Sequence, residues 1–126
     1  LHDHGKSLTW HADNDTSELF PLIKEAGFDM VECFATDPLV KCTLEDARAA
    51  WGTSIIIWGG VPSVVLEEWY PAEQFESHIR DLFRTIAPGD AFIMGVSDNV
   101  MPGAEVWRLE RIAELVEQHG YYPIRN

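Results

Sequence analysis

Four times along this chain a short run rich in β-branched and aromatic residues gives way to a longer segment with apolar residues at three- and four-residue spacing. Repeated strand-then-helix order forces parallel strands, because a tight turn cannot join parallel neighbours and a helical crossover can. The first strand is predicted over residues 6–11, ending in the polar run Asp13-Asn14-Asp15. Thr16 or Ser17 then caps a helix to about Ala26, with Gly27 as terminator and Pro21 predicting an irregular first turn. Met30–Phe34 reads as the second strand. Thr43 and Asp46 have capping-box spacing, opening a helix that runs to Trp51 and stops at Gly52.

The clearest strand is 54–58, Ser-Ile-Ile-Ile-Trp. Its unbroken apolar character suits a sheet covered on both faces, and Gly59-Gly60 is expected to break it. The next helix, Ala72–Ile86, presents Phe75, Ile79, Leu82, Phe83 and Ile86 on one face. A fourth strand is expected over 91–96. A last helix over about 104–119 buries a stripe of Val106, Leu109, Ile112, Ala113 and Val116.

Residues 1–126 are read as one α/β domain of four βα units. A full (β/α) barrel takes ~250 residues, so four units correspond to half of a TIM-type (β/α)8 barrel. The alternative is a small open, doubly wound sheet. The first residue is Leu, so the expectation is a piece of a longer protein. Nine basic residues stand against 21 acidic ones, for a net charge of −12. The basic residues are scattered, which argues against a nucleic-acid partner. No run approaches the ~20 apolar residues of a membrane span, and two cysteines form no disulfide framework, which points to a cytoplasmic setting.

Parallel strands deliver their C-terminal ends to one rim. There the sequence places His11, Asp13 and Asn14, then Glu32 and Cys33, then Trp58, Gly59 and Gly60, then Ser97, Asp98 and Asn99. Imidazole and carboxylates at one mouth suit a divalent ion such as zinc. His11 and Asp13 lie two apart and so share a side of an extended strand. The expected metal ligands are His11, Asp13, Glu32 and Asp98. Asn14, Gly59, Gly60 and Asn99 are the expected substrate contacts, although the 13–15 run also reads as a helix cap. Cys33 alternates against Glu32, so it is expected to pack away from the rim beneath a helix. Cys42 is expected to be structural, and His2-Asp3-His4 a solvated loop.

Taken in order, Gly5 to His11, Gly27-Phe28-Asp29 before a strand, Trp58-Gly59-Gly60-Val61, and Gly120-Tyr121-Tyr122 after the last helix resemble the C-terminal half of the uroporphyrinogen decarboxylase family. That family comprises tetrapyrrole decarboxylases and zinc methyltransferases that use methylated corrinoids. The resemblance implies barrel geometry, with His11 matching the zinc histidine of the methyltransferase side and Glu32 the glutamate that joins it in the related cobalamin-independent methionine synthases. Asp13 stands where those enzymes carry a cysteine, and Ser97 or Asp98 where they carry another. Oxygen for sulfur makes such a site harder.

The implied function is a methyltransferase-type site with a divalent metal and, in the intact protein, a corrinoid methyl donor. Two alternatives stand beside it: a catalytically inactive half-barrel that self-associates, or part of a tetrapyrrole decarboxylase. The expected partner is a second copy or an N-terminal half-barrel, because half a barrel leaves open edges.

Overall fold

The computed structural model describes residues 1–125. Strand β1 spans Thr9–His11, β2 Met30–Phe34, β3 Ile56–Pro62 and β4 Phe92–Ser97. Between and after them come helices α1 (Phe20–Glu25), α2 (Leu44–Trp51), α3 (Ala72–Ile86) and α4 (Val106–His119). All three strand pairings are parallel, in the order β1-β2-β3-β4. The strand order therefore never reverses, and the switch point of a doubly wound sheet is absent among the described residues.

One row of side chains runs across the sheet toward the helices: Trp10, Val31, Ile57 and Phe92 are in register. Val31 and Ile57 are fully buried there, packed with Phe20, Ile23, Ala47, Trp51, Phe75 and Ile79 from α1, α2 and α3. Trp51 stacks edge-on against Phe20 and Phe34, and its indole N–H donates to the Phe20 carbonyl at 2.9 Å. This satisfies the only polar atom of a large buried ring. The opposite face is different. Trp58 keeps 45% of its surface exposed and Ile93 42%. The expected cover on both faces of β3 is thus corrected, since among the described residues the helices pack on one face only.

Local chemistry explains the element ends. The Thr43 hydroxyl accepts from the Asp46 N–H at 3.1 Å, the cap its spacing suggests, and donates to the Asp46 carboxylate at 2.7 Å. Before α1 the bond comes from the 13–15 run and not from Thr16 or Ser17. Asp15 accepts from both the N–H and the hydroxyl of Ser17, while the buried Thr16 hydroxyl has no partner. A 3-10 turn at Ser17–Leu19 precedes α1, the irregular start that Pro21 anticipates. Strand β3 does not stop at its glycines but runs through them to Pro62. Gly59 takes φ 144°, and a Cβ there would lie 2.5 Å from the Phe34 nitrogen, so β2 and β3 approach too closely for any side chain.

Helix α4 departs most from its predicted packing. Val106 is 68% exposed and Val116 40%, while Leu115 and Arg108 are the buried positions. The Arg108 guanidinium donates to the carbonyls of Val65 and Tyr70 and to Glu105, and lies over the Phe75 and Trp107 rings. A buried charge with this many partners is locked in place, and of the apolar stripe only Leu109, Ile112 and Val116 line a hollow beside it.

Candidate metal site

Register does the first part of the assembly. His11 and Glu32 are direct partners across β1 and β2, so both side chains leave the same face of the sheet. Their Nδ1 and Oε1 atoms are hydrogen-bonded. On the other side of the ring, Nε2 stands 3.5 Å from a carboxylate oxygen of Asp13. The imidazole thus lies between two carboxylates. The hydrogen bond it donates to Glu32 raises its pKa most, burial opposes that, and the charges of Glu32 and Asp13 reinforce it.

The second part is an irregularity in β2. Pairing with β3 shifts register between Val31 and Phe34, and Cys33 takes a left-handed backbone with φ 57°. A bulge of this kind breaks the period of two. Val31 and Phe34, three residues apart, both enter the core under the helices. Cys33 is turned instead to the side of Glu32. The expectation that Cys33 packs beneath a helix is therefore corrected: ligand atoms of His11, Glu32 and Cys33 lie within 4.8 Å of one another. Alternation alone misses this thiol. The available signal was the three-residue interval between the bulky apolar Val31 and Phe34.

The thiol is held from β4. Asp98, with φ 63°, donates its N–H to the Cys33 sulfur at 3.0 Å. Burial pushes the Cys33 thiol up, the Asp98 N–H opposes this, and the charges of Glu32, Asp98 and Asp13 raise it further. Without a cation the mouth therefore favours protonated sulfur and protonated imidazole. A divalent ion among these atoms reverses both preferences, because it favours thiolate and neutral imidazole.

Of the other residues singled out from the sequence, Asp13 and Asp98 lie outside the group of three. Asp13 faces the far nitrogen of His11, and the Asp98 carboxylate accepts from the Asn99 side-chain amide at 3.1 Å. Asn14 accepts from the Asp15 N–H at 2.8 Å. Ser97 is fully buried, with its hydroxyl donating to the Phe34 carbonyl and accepting from the Gly60 N–H, which ties β2, β3 and β4 together below the mouth. Gly60 lies against Phe92 and Leu44 and borders a 180 Å³ cleft between α2 and α3. His2 is not free in solution but is bonded to Asp29 at 2.8 Å, while Asp29 also accepts from the Leu8 N–H. Cys42 is buried, as expected of a structural thiol.

Compared with models of known protein families and with curated protein sequences, the chain matches none. No helix of the described residues is long and apolar enough to cross a membrane.

Proposed function

We propose that this chain is half of a (β/α) barrel whose mouth holds a divalent metal for methyl transfer of the corrinoid-dependent type. The observation that carries the metal reading is the meeting of one imidazole, one carboxylate and one thiol within 4.8 Å at the C-terminal ends of neighbouring parallel strands. A nitrogen, oxygen and sulfur donor set fits zinc or a similar borderline ion, and three protein ligands leave a position for an exogenous group. His11, Glu32 and Cys33 would hold the ion.

Asp13 then acts on the second nitrogen of His11, fixing the ring and increasing its donor strength, as carboxylates behind metal-bound histidines do. The Asp98 N–H steadies Cys33 as thiolate. A bound divalent ion supplies one chemical service here: it stabilises an incoming thiol as thiolate near neutral pH. In the transfer, the thiol would lose its proton to solvent and its sulfur would form a bond to the methyl carbon. The methyl group's bond to the donor breaks, and that electron pair stays with the donor. Asn14 and Asn99, both exposed, would orient the substrates. A polycarboxylate substrate fits poorly beside Asp13, Glu32 and Asp98 in a chain of charge −12, which disfavours decarboxylation. Two unpaired thiols agree with a cytoplasmic setting.

Cobalt(II) replaces zinc in such sites and is visible by absorption. The purified chain should take up one cobalt ion with a thiolate-to-metal band, lost in Cys33→Ser and retained in Cys42→Ser, and His11→Ala should weaken uptake. Absence of binding, or binding indifferent to both Cys33 and His11, refutes the site.

A further inference from the structure

Under α4, beside the β4 edge, lies an apolar hollow. Its volume is about 600 Å³ between β4, α3, α4 and the segment after α4, and its walls include Phe83, Phe92, Leu109, Ile112, Val116 and Ile124. Leu109, Ile112 and Val116 belong to the apolar stripe that the sequence builds for burial, yet they face this space. The β4 edge beside it is unpaired among the described residues. Ile57 donates to the Ala91 carbonyl, and in a parallel ladder this directs the N–H groups of Ile93 and Gly95 to β3 and those of Met94 and Val96 outward. The Phe92 carbonyl accepting from the Tyr122 hydroxyl on that outer side agrees with this parity.

The other edge of the sheet, β1, is also unpaired among the described residues. Its central residue, Trp10, is only half-buried on the helix side, with its ring 5.7 Å from that of Phe28. Trp10 shares a row with Val31, Ile57 and Phe92. A strand with this pattern, set one place beyond β4, therefore points its tryptophan into the hollow.

We infer that the β4 edge and the hollow under α4 receive the β1 edge of a second copy of this chain, an inference that rests on the half-barrel reading above. A two-fold axis along the strands makes the two β4-to-β1 junctions identical. Two copies thereby close an eight-stranded parallel sheet with no edge left. The same closure covers Trp58 and Ile93 on the open face. Because every strand is parallel, both metal sites sit at one mouth. Two chains of charge −12 repel each other, so added salt strengthens the pairing by screening.

Light scattering across micromolar concentrations, with hydrogen exchange read at single residues, tests the pairing. A dimer is expected, stronger at higher salt, with the Met94 and Val96 amides protected in it and fast-exchanging on dilution to monomer. Val96→Lys, which places a charge in the hollow, should weaken dimerisation about tenfold or more, whereas Val106→Lys on the exposed side of α4 should not. A monomer at every concentration, or a dimer whose Met94 and Val96 amides exchange freely, overturns the inference. A monomer that still binds cobalt through Cys33 leaves the metal site standing and removes only the pairing.

Discussion

The Cys33 sulfur and the main-chain N–H of Asp98 meet at 3.0 Å, although the two residues lie on β2 and just past β4, with β3 between them. Both have left-handed backbones. Such conformations cost about 1–2 kcal/mol each for residues with a Cβ. The contact explains what the two turns accomplish together: one aims a thiol into the mouth and the other gives it a donor.

The two thiols should therefore differ in reactivity. Cys42 is 1% exposed, and burial pushes its pKa up to about 11. At pH 8 roughly one Cys42 in a thousand is thiolate. Alkylation of the folded chain, followed by mass spectrometry of peptides, should modify Cys33 first. Saturating zinc should slow labelling at Cys33 and leave Cys42 unchanged.

Gly59 should not tolerate even alanine. Its added Cβ would meet the backbone of Phe34 at 2.5 Å, and its φ of 144° disfavours any L side chain. Gly59→Ala should cost about 3 kcal/mol or more by forcing β2 and β3 apart. Urea unfolding should show a lowered midpoint, and cobalt uptake should weaken as well, since Phe34 follows Cys33 directly.

Much of this architecture is legible in the sequence because its signals are periodic. The α3 stripe of Phe75, Ile79, Leu82, Phe83 and Ile86 is buried throughout, and the Thr43 cap is where spacing puts it. The pairing of His11 with Glu32 also follows from parallel strand ends. Exceptions to periodicity are harder to see. Nothing in the identity of Cys33 announces a positive φ, and Arg108 among the apolar residues of α4 reads as a surface charge until Val65 and Tyr70 offer it their carbonyls. Gly59 and Gly60 read as a break because only tertiary contact reveals that a strand passes through them.

Arg108 should be among the costliest residues to replace. Arg108→Met keeps the aliphatic bulk over Phe75 but leaves the Val65 and Tyr70 carbonyls without their donor. A loss of about 2–4 kcal/mol is expected from the unsatisfied groups. Arg108→Lys should recover only part of it, since one ammonium cannot span three acceptors in a fixed fork. Thermal and urea denaturation read both variants.

Acid stability should report on Glu76. Its carboxylate accepts from Arg111 and from Arg80, and these partners hold its pKa down to about 2 from an ordinary 4.5. A depressed carboxylate stabilises the fold above its unfolded-state pKa and loses that contribution as pH falls toward the folded value. The stability gap between the native chain and Glu76→Gln should thus be constant from neutral pH to about 5, narrow below the ordinary value of 4.5, and close near pH 2. A gap that persists unchanged at pH 2 contradicts the assignment.

The extra residue in β2 couples two tasks that seem separate. By shifting sidedness once, it delivers the phenyl ring of Phe34 to Phe20 and Trp51 and leaves the sulfur of Cys33 at the strand tip. Excising a single residue from that strand would exchange their surroundings, sending sulfur into hydrocarbon and a ring into water. Core packing and thiol placement in this chain are thus set by one kink and cannot be varied independently there.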